Sequence, residues 1–431
     1  MNNTFALDES MPGAEEMTNT TTTARCLFCN APLKHTFVDL GMSPLCESYR
    51  SREQLNQMEP FYPLHVKVCE QCFLVQLEQY VSAEHIFTEY AYFSSFSDSW
   101  LKHASDYVDM ISSRLGLGSQ SLAVELASND GYLLQYFVKK DIPVLGVEPA
   151  VNVAKAAEKK GVPTLVKFFG CQTALEMVAN GRTADLVVGN NVLAQVPDIN
   201  DFVGGIRIIL KPGGVATLEF PHLVRLMHEN QYDTIYHEHF SYFSLITAER
   251  IFAAHGLVLF DVDELPTHGG SLRIYLRHIE DSSKAVTSAV SNLRERELAA
   301  GLNQIEAYTS FSEQVMESKR GLLELLIALR RQGKRVAGYG APGKGNTLLN
   351  YCGIRTDFLE FTVDRNPYKQ GRFLPGTHIP IYPVDQIRRC RPDYIVILPW
   401  NLKDEIVAQL DYARKWGAKF IVPIPQAQVL D

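Results

Sequence analysis

Four short apolar segments between residues 121 and 220, each followed by a segment of helical period, constrain the fold more than any other feature. They are SLAVELA, PVLGVEP, ADLVVGN and GVATLEF. Short apolar runs that alternate with helices are typical of parallel strands, because parallel strands need long crossover connections. Crossover helices cover both faces of such a sheet. The sequence therefore predicts a doubly wound α/β domain, which we assign to residues 116–281.

A second, smaller α/β series follows near the C-terminus. Its candidate strands are KRVAGYG, FLEFTVD and DYIVILP, and a glycine-rich turn comes directly after the first of them. Residues 282–333 are rich in Ala, Leu, Glu, Arg and Lys and contain no proline, which predicts one or two long helices. We therefore expect a helical linker over residues 282–333 and a separate α/β domain over residues 334–431.

Length and charge limit the class of protein. A chain of 431 residues exceeds what a single core usually holds, so more than one domain is expected. The formal net charge of −8 argues against a nucleic-acid partner, because phosphate backbones select basic surfaces. No apolar stretch is long enough to cross a bilayer, and the N-terminus lacks a signal-peptide pattern. We expect a cytoplasmic protein without a membrane partner, as a monomer or small homo-oligomer.

Two C-x2-C pairs, Cys26 with Cys29 and Cys69 with Cys72, enclose two strand-like runs. Four thiolates are a preferred tetrahedral ligand set for zinc, and a closed set leaves no position for catalysis. The spacing predicts a structural zinc module over residues 25–82, after a polar, disordered tail over residues 1–24. Four unrelated buried thiols are the alternative. Residues 83–115 are interpreted as a connector.

Small and polar residues follow the strands of the larger α/β domain, where a ligand crevice is expected. Glu125 lies in the first strand, the next loop opens a helix, and Glu148 ends the second strand, where an acidic residue can bind a ribose diol. A surface carboxylate is the alternative for Glu148. The candidate cofactor-binding residues are Glu125, Ser128, Asn129, Asp130, Gly131, Glu148, Asn190 and Asn191.

The succession GVEP, GNNVLAQVPD and LKPGGVATLEF resembles class I S-adenosylmethionine-dependent methyltransferases, although SNDG replaces their usual glycine-rich first loop. With the cysteine pairs, YHEHF, HGGSLR and GYGAPGKGN, nearly the whole chain resembles the sugar C-methyltransferases of deoxysugar biosynthesis. The resemblance implies a Rossmann-like class I methyltransferase domain between an N-terminal zinc module and a smaller Rossmann-like C-terminal domain. It also implies S-adenosylmethionine as cofactor, structural zinc, and C-methylation of a nucleotide-linked 4-keto-deoxysugar, with thymidine diphosphate as the expected carrier.

Methylating a carbon next to a ketone requires a base that is neutral near pH 7, and histidine suits this task. By resemblance, His239 is the base, and Tyr236 and Glu238 orient it or contact the substrate. His237 is assigned to the substrate side. A metal site at H-E-H and a merely polar surface turn are the alternatives for this segment.

The other candidate substrate-binding residues come from three motifs. The loop before Lys344 joins a strand to a helix N-terminus, which suits a diphosphate, and it is not a Walker A sequence because Gly345 follows the lysine. A solvated lysine in a glycine-rich turn is the alternative there, a tight hairpin is the alternative for HGGS, and core packing is the alternative for the aromatic stretch near residue 90. These candidates are Tyr90, Tyr92, His268, Ser271, Arg273, Tyr339, Lys344 and Asn346.

Two other functions remain open from the sequence. One is an O- or N-methyltransferase of the same fold that acts on another small metabolite. The other is a zinc-organised binding or scaffold protein without catalysis.

Overall fold

The computed structural model describes residues 24–82 and 94–430, and Tyr90 and Tyr92 lie outside these ranges. The N-terminal module is a small antiparallel sheet of β1 (His35–Ser43), β2 (Tyr62–Val68) and β3 (Val75–Leu77), with a 3-10 helix at Glu53–Asn56. A fourth strand joins this sheet from the middle of the chain, because residues 241 and 242 pair with β3. The N-terminal sheet is therefore completed by a distant segment.

The central sheet has seven strands in the order β10-β11-β8-β7-β4-β5-β6. Strands β4 to β8 are parallel, β11 is antiparallel to β8, and β10 is antiparallel to β11. This order is that of a class I methyltransferase, so the predicted fold is confirmed. The strands of this region are β4 (Ala123–Leu126), β5 (Val144–Val147), β6 (Thr164–Leu165), β7 (Ala184–Asn190), β8 (Leu210–Pro221), β9 (Ser241–Tyr242), β10 (Leu257–Leu265) and β11 (Ser271–His278).

Helices cover both faces of the central sheet, and the four predicted strands lie in β4, β5, β7 and β8. Every residue of β4 is buried, as expected for a strand between two helical layers. The helices are α1 (Asp98–Leu115), α2 (Leu134–Val138), α3 (Val151–Lys159), α4 (Cys171–Ala179), α5 (Ile199–Ile209), α6 (Leu223–His228) and α7 (Leu245–Ala254). Three 3-10 helices, Leu193–Gln195, Tyr232–Thr234 and Thr267–Gly269, lie in the connections, and a fourth, Ser94–Phe96, precedes α1.

Helix α1 shows how local sequence fixes an element. The Ser97 side chain accepts a hydrogen bond from the Trp100 amide at its start, and Gly116 in the left-handed conformation ends it. Its buried side, which includes Tyr107, packs on the central sheet, and the Tyr107 hydroxyl lies 2.5 Å from Thr217 Oγ1. The predicted connector thus contributes a helix to the methyltransferase domain.

Three helices lead from the central domain into a second Rossmann-like sheet of order β14-β13-β12-β15-β16-β17. In this sheet β12 to β16 are parallel, and β17 is antiparallel to β16. The helices are α8 (Ser288–Ala299), α9 (Ile305–Thr309), α10 (Phe311–Arg331), α11 (Gly343–Cys352), α12 (Gln386–Cys390) and α13 (Lys403–Gln409). The strands are β12 (Val336–Tyr339), β13 (Thr362–Val363), β14 (Ile381–Tyr382), β15 (Tyr394–Ile397), β16 (Lys419–Val422) and β17 (Gln428–Leu430). Two 3-10 helices, Trp400–Leu402 and Asp411–Trp416, flank α13.

The N-terminal sheet and the C-terminal domain share one hydrophobic core. Phe37 of β1 stacks on Phe311 of α10 with ring centroids 4.7 Å apart, and the same cluster continues to the buried strands of the last sheet. Burial of this apolar surface fixes the two ends of the chain against each other. Among the described residues, no helix is both long and apolar enough to span a membrane.

Candidate active site

The four cysteines of the two C-x2-C pairs form a compact cluster. Their sulfur atoms all lie within 4.8 Å of one another, and the Cys26–Cys72 and Cys29–Cys69 sulfur pairs are 3.5 Å apart. Zinc–sulfur bonds of about 2.3 Å in a tetrahedron place the sulfurs about 3.8 Å apart. The donor set and its spacing therefore fit one zinc ion, as the sequence predicted.

Gln76 of β3 supports this cluster. Its Nε2 donates to Cys26 Sγ at 3.2 Å, and its Oε1 accepts the Leu27 amide at 2.7 Å. Donors to a ligating thiolate orient it and stabilise its charge. The sequence analysis missed Gln76, because nothing in its local sequence distinguishes it from a surface glutamine.

The loop after β4 and the end of β5 form one side of a crevice at the carboxyl edge of the central sheet. Glu148 accepts the Asn129 amide and the Ala150 amide, both at 2.9 Å. Burial raises the pKa of Glu148, and these two amides partly offset the effect. Gly146 lies beside this loop, where an added Cβ would stand 2.3 Å from Ser128 Oγ. The backbone and the carboxylate are thus fixed at the expected cofactor position.

Polar atoms in this crevice are buried without protein partners. Both side-chain amide atoms of Asn190, at the end of β7, and the Ser128 hydroxyl lack a hydrogen bond within the described ranges. Burial raises the pKa of Glu125 well above its ordinary value. Asp130 forms an ion pair with Lys160 at 2.9 Å, which fixes the other side of the loop. Unpaired buried amide groups are costly, so these atoms fit a polar cofactor that would satisfy them.

The side chains of Trp100 and His103, both on α1, form an adjacent wall. Trp100 stacks on His103 with ring centroids 5.0 Å apart, and its ring meets His268 edge-on at 5.0 Å. His103 Nε2 lies 2.9 Å from Glu219 Oε2 at the end of β8, where Arg273 also binds at 2.8 Å. Burial raises the pKa of Glu219, but His103 and the Arg273 charge outweigh burial and keep that pKa low. The sequence marks neither Trp100 nor His103 as a site residue, and Glu219, although it lies in the LKPGGVATLEF motif, is not among the predicted site residues.

The HGGSLR motif forms the hairpin between β10 and β11, and its side chains point in different directions. His268 Nε2 lies 3.0 Å from Asn191 Nδ2, which brings the hairpin to the end of β7. The Ser271 hydroxyl donates to the Thr267 carbonyl at 3.0 Å, and Arg273 is buried against Glu219. Only His268 of the three faces the crevice. Desolvation, together with the Lys344 charge, lowers the pKa of His268 to about 4.

The YHEH segment lies between the N-terminal module and the central sheet. His239 Nδ1 lies 3.0 Å from the Thr234 carbonyl oxygen, and its ring centroid is 4.1 Å from that of Tyr236. Phe240 directly follows and is held on both sides, because its amide donates to Ala194 and its carbonyl accepts from Leu77. Burial raises the pKa of Tyr236 well above its ordinary value, so its phenol is neutral.

The remaining residues of this segment contact the N-terminal module. The Cys46 thiol donates to Glu238 Oε1 at 3.7 Å, and His237 Nε2 lies 3.2 Å from the Pro63 carbonyl oxygen. Burial lowers the pKa of His237, although the Pro63 carbonyl opposes this effect. His237 and His239 therefore point to different surroundings, which separates two histidines that the sequence leaves equivalent.

The GYGAPGKGN segment runs from β12 into α11. Lys344 Nζ donates to Asn401 Oδ1 at 3.0 Å and is half-buried. Asn346 Nδ2 donates to the Cys46 carbonyl at 2.6 Å, so it ties α11 to the N-terminal module. The Tyr339 hydroxyl donates to Gln409 of α13 at 2.8 Å. Of these three, Lys344 alone faces His239 and His268, whose pKa values it lowers.

Three protein-family models match consecutive parts of the chain. A zinc binding domain matches residues 26–87, a methyltransferase domain matches residues 102–262, and a C-methyltransferase C-terminal domain matches residues 266–425. The methyltransferase match begins within α1, which agrees with the packing of that helix on the central sheet.

Individual proteins also match most or part of the chain. The C-methyltransferase NovU of Streptomyces niveus is 35% identical over 393 residues, which cover 91% of this chain and 93% of that protein. A ubiquinone biosynthesis O-methyltransferase of Methylobacterium sp. (strain 4-46) is 35% identical over 107 residues, 23% of this chain and 42% of its own length. The structure of a methyltransferase from Clostridium acetobutylicum ATCC 824 matches with a TM-score of 0.33 at 12% identity, covering 41% of this chain and 92% of that chain.

Proposed function

We propose that this chain, which belongs to the C-methyltransferase family and is a zinc-binding, S-adenosylmethionine-dependent methyltransferase, acts on a ring carbon of a nucleotide-linked 4-keto-deoxysugar. Thymidine diphosphate is the proposed carrier. His239 is the proposed base that removes the proton from the carbon next to the ketone.

The state of the His239 ring carries this proposal. The Thr234 carbonyl oxygen can only accept a hydrogen bond, so Nδ1 of His239 holds the proton and Nε2 has the free electron pair. Desolvation lowers the pKa of His239 to about 4, although the Thr234 hydrogen bond opposes this effect; His268 and Lys344 add smaller contributions that also lower the pKa. A neutral imidazole with one fixed nitrogen suits proton abstraction from carbon.

The residues around His239 support the rest of the reaction. Removal of the proton gives an enolate, and the neutral Tyr236 phenol beside the base can donate a hydrogen bond to its oxygen. When bound, S-adenosylmethionine supplies the methyl group as an electrophile. Buried side chains around the base exclude water, and the proton stays on His239 Nε2 until it is released to solvent.

A diphosphate is the proposed ligand of Lys344. This residue lies in the first turn of α11, a ten-residue helix whose N-terminal amides and dipole favour an anion. Burial lowers the pKa of Lys344, while nearby Asp233 opposes the effect. Anchoring the nucleotide there would leave the sugar to reach towards His239, so the anchor and the base would lie on opposite ends of one substrate.

The decisive experiment uses His239→Asn and a thymidine-diphosphate-linked 4-keto-deoxysugar in deuterated water. The wild-type enzyme should exchange the proton next to the ketone without cofactor and should transfer labelled methyl to carbon when the cofactor is added. His239→Asn should lose both activities but bind S-adenosylmethionine with unchanged affinity, since the cofactor crevice is intact. Methyl transfer to oxygen or nitrogen without exchange, or full turnover by His239→Asn, would refute the proposal.

The pH profile provides a second test. The base works only when neutral, so kcat/KM should remain high as the pH falls below 6 and should decline as it approaches the His239 pKa of about 4. A free histidine would already be half-protonated at pH 6.5. An acid limb centred near pH 6.5, measured with wild-type enzyme, would show that His239 is not held in the described environment.

A further inference from the structure

Trp400 of the C-terminal domain contacts three separate segments of the site. Its Nε1 donates to Asp233 Oδ2 at 2.7 Å, and Lys344 Nζ lies 4.7 Å from the centroid of its ring. Its Cη2 is so close to Gly269 that an added Cβ there would stand only 2.8 Å away. Trp400 as a whole is 8% exposed, so these contacts are made inside the protein.

Each of these segments carries a group with a proposed role in the reaction. Asp233 directly precedes Thr234, whose carbonyl binds the His239 ring. Lys344 is the proposed diphosphate anchor, and Gly269 directly follows His268 in the hairpin. One indole, which follows β15 in the same domain as Lys344, therefore connects the base, the anchor and the hairpin.

We propose that Trp400 is a positioning residue that fixes the distance and orientation between Lys344 and the segment carrying His239. The inference rests on the proposed roles of Lys344 and His239. A substrate anchored at one end by a cation reacts efficiently at the other end only if the anchor and the base keep a fixed geometry.

The contacts of Trp400 suit this role better than simple packing would. Asp233 is 1% exposed, and its second oxygen has no partner within the described part of the chain, so the indole N–H is a main support of this buried carboxylate. The same ring gives the Lys344 ammonium a cation–π contact. The ring packs closely on the backbone of the hairpin at Gly269, where a Cβ would crowd it.

The test compares Trp400→Phe with Trp416→Phe. Trp416 lies in the same domain and donates its indole N–H to the Pro392 carbonyl at 3.1 Å, so both variants lose one indole hydrogen bond. Trp400→Phe should lower kcat about tenfold to a hundredfold, as expected for the loss of a hydrogen bond to a charged group, with KM for S-adenosylmethionine unchanged. Trp416→Phe should retain wild-type kcat.

A readout without turnover separates this inference from the proposed function. The ring carbon-bound protons of His239 and His268, followed by NMR in histidine-labelled protein, should shift in Trp400→Phe and stay in place in Trp416→Phe. Asp233→Ala removes the same bond from the other side and should shift the His239 signal likewise, which keeps the test available if Trp400→Phe fails to fold.

The outcomes are distinct. Unchanged histidine signals in folded Trp400→Phe and Asp233→Ala would overturn the inference, whatever reaction the enzyme performs. Equal losses of kcat in Trp400→Phe and Trp416→Phe would also overturn it. Shifted histidine signals in an enzyme that methylates no sugar nucleotide would support the role of Trp400 in positioning and refute the proposed substrate instead.

Discussion

Replacing Glu297 of α8 should strongly destabilise the protein. Glu297 is 1% exposed, and its carboxylate accepts the Leu245 amide at 2.7 Å and the Ile246 amide at 2.9 Å. The same carboxylate lies 2.7 Å from Nε2 of His222, which is also buried. One side chain of α8 thus provides the hydrogen-bond acceptor for two N-terminal amides of α7 and for a buried histidine ring.

The size of the effect follows from these three contacts. Glu297→Ala leaves two helix N-terminal amides and a buried imidazole without their acceptor. An unsatisfied buried donor costs about 1 to 3 kcal/mol, so the three together should cost about 3 to 5 kcal/mol at the lower end of that range. For a domain of 150 to 250 residues, each kcal/mol shifts Tm by about 2 to 4 °C, so the expected decrease is roughly 6 to 20 °C. Glu297→Gln keeps one carbonyl oxygen and should lose less.

Differential scanning calorimetry of wild type and three variants checks this reasoning. Glu295→Ala is the matched control, because Glu295 is exposed on the same helix and its loss should change stability by less than about 0.5 kcal/mol. Among the variants, Glu295→Ala should have the highest Tm, Glu297→Gln an intermediate Tm and Glu297→Ala the lowest Tm. If Glu297→Ala has the same Tm as Glu295→Ala, the Glu297 carboxylate does not support α7.

Two further predictions concern the metal and a buried carboxyl. Cys72→Ser should lose its bound zinc and lower Tm, whereas Cys171→Ser, outside the cluster, should keep one zinc per chain; equal zinc contents by mass spectrometry would contradict the site. Burial raises the pKa of Asp233 from 3.8 to about 6, so the folded state keeps a proton that the unfolded chain releases. As the pH rises from about 4 to 6, the free energy of unfolding of the wild type should therefore fall relative to that of Asp233→Asn, by at most about 3 kcal/mol. Above pH 6 the difference between the two proteins should stay constant. If urea titrations give the wild type and Asp233→Asn the same dependence of unfolding free energy on pH, this carboxyl is not desolvated.

The sequence predicted the elements whose signal is local. The runs that became β4, β5, β7 and β8 are apolar because these strands are buried under two helical layers. The two cysteine pairs predicted their cluster because a metal ligand set restricts both residue type and spacing. Both signals lie within short windows, so they can be recognised without knowing the fold.

Contacts between distant segments could not be predicted in this way. Glu219 meets His103 across a separation of 116 residues, and Trp400 meets Asp233 across 167 residues. Tyr339 belongs to a motif that suggests a ligand, yet its hydroxyl reaches Gln409. Side-chain direction depends on tertiary packing, which a motif does not record.

The pairing of β9 with β3 has a consequence for the order of folding. Residues 241 and 242 follow the proposed base almost directly, and they pair with residues 76 and 75 of the N-terminal sheet. The chain must close a very long loop before that pairing can form, and loop closure has an entropic cost. The surroundings of His239 should therefore be completed late, after both β3 and β9 have been synthesised. An N-terminal module grafted from another protein would succeed only if its strand equivalent to β3 can pair with the two residues of β9.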